Sequence, residues 1–312
     1  MCYSAQIWAD YRKYVRVFGA VMDIREFVDT FWHRREEMTL KLPKALEAAF
    51  ESEPAYSEEL RKIQQAIAEY KAERTSNLEQ QLFKQVKRRA DAERVLASGK
   101  VTKKAQEDLR ISTSKIDQLK GWLNDLRRTE LTDEDSRIFP GHYAPVMVWE
   151  DGQRVVKPMR YQCRPPGKPA FYDTKYPGTY NARRDNLEGE FWKPLFGCSH
   201  GVMLASAFYE NVSRPEGNVV LEFRPRPQHD MLVACLWSRW VSPDGKEELL
   251  SFAAITDEPP EEVAAAGHDR CIIPIKPEHL DAWLQPDAAN LKEQYAILDD
   301  RERPYYEHRL AA

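Results

Sequence analysis

Two textures alternate along the chain. From about residue 22 to 132, apolar residues recur at helical spacing in a charged background: Leu60, Ile63, Ile67 and Tyr70, then Leu78, Leu82, Val86 and Ala90. Leu109, Ile116 and Leu123 interleave with Ser112, Leu119 and Leu126 in a near-heptad pattern, the spacing that keeps one seam of a helix facing a partner. Glycine occurs in this stretch only at Gly99 and Gly121, and proline only at Pro43 and Pro54, which is helical composition. Ala97-Ser98-Gly99 reads as a helix stop, because glycine accepts the left-handed conformation of a C-cap. The stripes predict a helical hairpin or small bundle. The run from Lys84 through Lys87 and Arg88 to Arg89 reads as a solvated helix face, with a partner or DNA contact as the alternative.

From about residue 138 the texture is β-rich. Val146-Met147-Val148-Trp149, Asp151-Gly152 and Arg154-Val155-Val156 predict a hairpin around a tight Asp-Gly turn. Further strands are expected at 202–204, 218–223, 231–237 and 249–256. A short helix is expected at 277–284, opened by Pro277-Glu278. No internal repeat is evident. The tail after about residue 290 is polar and is expected to be loosely held.

Charge and cysteine usage narrow the function classes. The 312 residues carry a formal net charge of -4, so a nucleic-acid site would have to be a local basic patch on a mildly acidic body. No apolar run approaches the ~20 residues needed to cross a bilayer, and the start of the chain lacks a signal-peptide pattern. The expected setting is the cytoplasm, on the nucleoid when DNA is bound, with no membrane partner. The five cysteines, Cys2, Cys163, Cys198, Cys235 and Cys271, are scattered and never form a CxxC pair, which argues against a disulfide framework. Cys198, His200, His229, Cys235, His268 and Cys271 lack paired spacing of the zinc kind, and no metal is expected.

Cys2 is a chemical opportunity. Removal of Met1 would leave an N-terminal cysteine, with an amine and a thiol on adjacent carbons. The amine has an ordinary pKa of about 7.7–8 and is partly neutral at cellular pH. It can attack an aldehyde to give a Schiff base, and the thiol can close on the same carbon as a five-membered thiazolidine, an intramolecular step with high effective molarity.

Four further segments accompany it: Asn181-Ala182-Arg183, Ala207-Phe208-Tyr209-Glu210, Gly267-His268-Asp269-Arg270, and Phe139 to Pro145 with its Pro140-Gly141-His142-Tyr143 centre. With Met1-Cys2, and with Phe191-Trp192-Lys193-Pro194-Leu195 and Asp281-Ala282-Trp283-Leu284, they resemble the SOS response-associated peptidase (SRAP) family, whose members cap abasic sites. The resemblance covers the first twenty or so residues and roughly 138–287. It implies that Cys2 forms the crosslink to an abasic site in single-stranded DNA, that Asn181 orients the reacting terminus, and that Arg183 binds a flanking phosphate. It further implies that Glu210 shuttles protons, and that His268 helps open the sugar ring or holds the adjacent phosphate. The family's tryptophan-containing strand corresponds here to 159–165, where Tyr161 would stack on a base and Arg160 or Arg164 would supply charge.

The chain departs from the family in two places. The family continues from its cysteine with Gly-Arg, where this chain has Tyr3-Ser4, removing a phosphate contact and adding bulk beside the nucleophile. The stretch 22–132 is far longer than the family's connection. The expected fold is therefore α+β: a curved or barrel-like mixed sheet with short helices, formed by residues 1–21 and 133–290. A coiled-coil-like helical insertion at 22–132, which could recruit a protein partner, and a tail at 291–312 complete it. The expected activity is covalent capture of abasic sites without a cofactor. The alternatives are a cysteine-dependent peptidase, with Cys2 as nucleophile and His268 as base, and a non-enzymatic helical scaffold on a decayed core.

Overall fold

The computed structural model describes residues 3–36, 38–99 and 101–311. They divide into two units, one from the described residues of Met1–Thr30, Leu40–Ala55 and Thr132–Ala312, the other from Phe31–Thr39 and Tyr56–Leu131. In chain order the strands are β1 (Ser4–Ile7), β2 (Val21–Met22), β3 (Arg137–Ile138), β4 (Tyr143–Glu150), β5 (Gln153–Tyr161), β6 (Asn181–Arg183) and β7 (His200–Arg214). They continue as β8 (Gly217–Arg226), β9 (Met231–Val241), β10 (Glu248–Asp257), β11 (Cys271–Ile272), β12 (Pro274–Ile275) and β13 (Tyr305–Leu310). The helices are α1 (Arg12–Phe18), α2 (Ile24–Glu36), α3 (Lys44–Glu51), α4 (Glu58–Ala97), α5 (Lys103–Arg127), α6 (Tyr172–Lys175), α7 (Glu261–Ala265), α8 (Leu280–Leu284) and α9 (Leu291–Asp299).

The first unit is built on a closed five-stranded barrel. β9 pairs with β10, β10 with β5, β5 with β4, β4 with β7, and β7 returns to β9. Only β10–β5 is parallel within this ring. Closure removes free edges, and β9 from Met231 to Leu236 and β10 from Leu250 to Thr256 are buried throughout. That explains why they read as near-continuous apolar runs rather than alternating ones. The β4–β5 hairpin turns at Asp151 and Gly152, both at positive φ (51° and 79°), the conformation a two-residue Asp-Gly turn favours. Outside the barrel, α8 seats Trp283, whose indole N–H donates to the Gly201 carbonyl at 3.0 Å.

The second unit is the predicted helical hairpin. α4 begins at Ser57, whose hydroxyl accepts from the Leu60 amide at 3.1 Å. α5 begins at Thr102, which accepts from the Ala105 amide at 3.1 Å. Each side chain satisfies an amide that the first turn leaves open. α4 stops at Ala97, with Gly99 at φ 79°. Leu78, Leu119 and Leu123 form a buried cluster in it with Leu82 and Leu126, and Arg127 reaches Glu79 at 2.6 Å across the pair. The expected α4 stripe thins after Leu82: Val86 is 41% exposed, and the small Ala92 is the buried position farther along α4 among the described residues.

Two expected boundaries change. The barrel unit takes in β2, the start of α2 and all of α3, because Tyr11 stacks on Phe50 (4.5 Å between centroids), Phe27 packs on Phe50, and β2 pairs in parallel with β5. The tail is not loosely held. α9 buries Ile297 and Leu298, and β13 pairs antiparallel with β8 from Tyr305↔Arg226 to Leu310↔Leu221. Exposed Glu307, His308 and Arg309 give that strand a polar composition, as suits an outer strand.

Candidate active site

The site is assembled where β1 meets the middle of β7. Ser4 lies opposite Tyr209, and the Tyr3 amide donates to the Tyr209 carbonyl at 3.4 Å. Cys2 lies outside the described residues; Tyr3 is the described residue that precedes the strand. Glu210 follows Tyr209 and is fully buried. His268 Nε2 lies 3.0 Å from Glu210 Oε2.

His268 is placed by the turn after α7. Gly267 sits at φ 98°, in the region that favours glycine, and a Cβ there would stand 2.9 Å from Val212 Cγ1. Glycine lets the chain cross β7 closely enough to lay the imidazole against Glu210. The other ring nitrogen, Nδ1, lies 3.0 Å from the Arg270 carbonyl and accepts from the Arg270 amide at 3.3 Å. Burial lowers the His268 pKa from its ordinary value. An imidazole against a buried carboxylate is a pair that can accept and return a proton.

Asn181 and Arg183 arrive on β6, which runs parallel to β10 with Ala254↔Asn181 and Thr256↔Arg183. β11 pairs with the same end of β10, at Thr256↔Ile272, so β10 holds the Asn181 segment and the chain just after His268 together. Asn181 is buried, and its side-chain oxygen accepts from the Tyr161 hydroxyl at 3.5 Å. Arg183 is half-exposed and forks onto Asp185 at 3.0 and 2.6 Å; Arg270 reaches the same carboxylate at 3.5 Å.

Three expected DNA contacts are corrected. Tyr161 is 1% exposed, its ring packed against Tyr180 and Phe252, so it offers no face to a base. Arg160 and Arg164 converge on Asp173 at 2.8 and 2.5 Å, and Arg164 also lies over the Trp240 ring. Both guanidinia brace the loop carrying α6 instead of facing solvent, and they hold the Asp173 carboxyl below its ordinary pKa against the opposing effect of burial. The thiols of Cys163, Cys235 and Cys271 are raised by burial, Cys163 to about 12. His200 is occupied by Gly197 and Trp283. Among the described residues no group of three or more His, Cys, Asp or Glu side chains is arranged to hold a metal.

Sequence reasoning missed the surround of Tyr3. Arg137 donates from Nε and Nη2 to the Ser4 hydroxyl at 3.1 and 3.0 Å, and lies over Tyr209 at 3.7 Å from the ring centroid. The Tyr209 hydroxyl donates to Gln6 at 3.0 Å, and burial, with Glu222 nearby, pushes its phenol up to about 12. The sequence signal was faint: Arg137 stands two residues before Phe139, in a two-residue strand.

The fold is a small barrel that places a buried carboxylate–imidazole pair beside the first strand. A family model for the SOS response associated peptidase (SRAP) matches residues 101–310, more than half of the chain, and the chain belongs to that family. Solved structures similar to it include a protein from Bacteroides thetaiotaomicron, 15% identical over 56% of this chain and 77% of that one, with a TM-score of 0.48. A protein from Bordetella bronchiseptica is 18% identical over 59% and 90% (TM-score 0.46), and a phage-related protein from the same organism is 19% identical over 60% and 85% (TM-score 0.43). No curated protein matches the chain. Family membership supports a DNA-damage-associated function. No helix of the described residues is long and apolar enough to cross a membrane.

Proposed function

We propose that the protein captures abasic sites in single-stranded DNA covalently, through a thiazolidine formed by Cys2 after Met1 is removed. The observation that carries this reading is the fully buried Glu210 with His268 3.0 Å away, one residue along β7 from the carbonyl that holds the Tyr3 amide. In the proposed reaction the Cys2 amine adds to the aldehyde carbon of the ring-opened sugar. The resulting carbinolamine loses water to give a Schiff base. The thiol sulfur then adds to the same carbon, and its proton ends on the ring nitrogen. The sum is amine, thiol and aldehyde to thiazolidine and one water.

Two steps need a proton carrier. The closed hemiacetal must lose its hydroxyl proton to open, and the carbinolamine hydroxyl must gain one to leave. A buried carboxylate beside an imidazole suits both, and such help is worth about 10²–10⁴-fold. In this reading Asn181 orients the terminus, and Arg183, half-exposed and shared with Asp185, exchanges that carboxylate for a phosphate.

The family's name also favours a peptidase reading, with Cys2 as nucleophile and His268 as base. A denaturing gel separates the two. Abasic single-stranded DNA incubated with protein starting at Cys2 gives a stable shifted band; a form extended ahead of Cys2 gives none, because its α-nitrogen is tied up in an amide. Equal crosslinking by the extended form contradicts the thiazolidine. Cleavage of protein substrates without retained DNA supports the peptidase.

A further inference from the structure

Around Tyr3 the structure carries an arrangement that the proposed chemistry does not use. Tyr3 is 41% exposed, and its ring is propped edge-on by Phe139 (5.7 Å, 67°) and Tyr180 (6.2 Å, 80°). Tyr180 is itself backed by buried Tyr161. Phe139 and Tyr209 together hold the Arg137 guanidinium, 4.9 and 3.7 Å from their ring centroids. Arg137 spends two donors on Ser4, the residue after Tyr3, and meets no carboxylate among the described residues. Ring and cation have both been oriented in advance, which lowers the ordering cost of binding.

We propose that Tyr3 and Arg137 form a nucleotide subsite: Tyr3 is the stacking platform for the base next to the abasic sugar, and Arg137 is the ligand of that nucleotide's phosphate. The ligand class is a single-stranded nucleotide with an intact base and a phosphodiester. Stacking on aromatic faces is sequence-tolerant, because every base has such a face. A guanidinium has donors left for phosphate after two are used. The subsite rests on the proposed function in one respect: it adjoins the residue taken as the nucleophile. It also explains how a chain with Tyr3 at this position can bind DNA: the bulky ring becomes a contact.

The test measures equilibrium binding, so it does not depend on crosslinking. A fluorescent single-stranded oligonucleotide carries a tetrahydrofuran in place of the abasic sugar, and a second version lacks the neighbouring bases as well. Wild type should bind the second about tenfold more weakly, by the usual worth of one stacked base. Tyr3→Ala should bind the first about tenfold more weakly than wild type does and should not distinguish the two, whereas Tyr3→Trp should behave as wild type. Arg137→Gln should flatten the dependence of log affinity on log salt by about 0.7, the value of one single-strand phosphate contact; Arg137→Lys should restore it. The subsite is overturned if Tyr3→Ala keeps the full preference for neighbouring bases, or if Arg137→Gln leaves the salt slope unchanged. The same variants offered a true abasic site report on the chemistry separately. A wild type that binds as described but never crosslinks would reject the Cys2 reaction and keep the subsite.

Discussion

His200 should make the protein acid-labile in a way that one substitution removes. The ring lies between Phe196 and Trp283, 5.4 and 4.0 Å between centroids, and is 1% exposed. Its Nε2 accepts from the Gly197 amide at 2.8 Å, and Nδ1 faces the Trp283 carbonyl at 3.1 Å. That pairing fits the neutral ring with its proton on Nδ1; protonating Nε2 would forfeit the Gly197 bond and bury a charge. Burial accordingly lowers its pKa from 6.5 to about 3. The sign follows from which state takes the proton. Below pH 6.5 the unfolded chain protonates this histidine while the folded one does not, so its contribution to stability is complete above 6.5 and is lost as pH falls toward 3. The loss is about 1.4 kcal/mol per pH unit, or roughly 2–3 kcal/mol at pH 4.5, against a typical total of about 5–15 kcal/mol. Urea unfolding of wild type and His200→Gln at pH 7.5 and 4.5 isolates the term, because every other titrating group is common to both. The stability difference should shift by about 2–3 kcal/mol in favour of the glutamine variant on acidification. A difference that stays constant with pH would refute the neutral, buried assignment.

Other outcomes follow from the same geometry. Glu210→Gln is isosteric and keeps an acceptor toward His268, so the variant should fold, yet its crosslinking rate should fall about 10²–10⁴-fold; an unchanged rate in single-turnover assays would remove Glu210 from the chemistry. Leu119→Ala empties a 2%-exposed position in the helical hairpin and should cost about 2–5 kcal/mol, read as an earlier urea midpoint for the helical signal. Thr102→Ala removes the α5 cap and should cost about 1 kcal/mol, visible as faster amide exchange in the first turn of α5.

The sequence was most legible where one local rule acted alone. The Asp151-Gly152 turn, the stop at Ala97-Ser98-Gly99 and the seam from Leu109 to Leu126 follow from turn chemistry, glycine and helical period, and each stands where expected. The tail misled because β13 keeps polar side chains outward and joins the sheet through backbone bonds to β8, which composition does not record. Tyr161, Arg160 and Arg164 misled because exposure depends on what covers a strand. Phe252 and Tyr180 close over the tyrosine, and Asp173 draws in both arginines. The Arg137–Ser4 contact spans 133 residues of sequence, beyond any local pattern. Glu210 and His268 stand out in the sequence only through family resemblance; the fold sets their side chains 3.0 Å apart.

The most direct measurement is the intact mass of untagged protein after incubation with a single-stranded oligonucleotide bearing one abasic site, beside Cys2→Ala. The account predicts one adduct, equal to the chain without Met1 plus the oligonucleotide less one water, and none in the variant. Protein shown to lack Met1 that forms no adduct, or Cys2→Ala that forms it equally well, would contradict it.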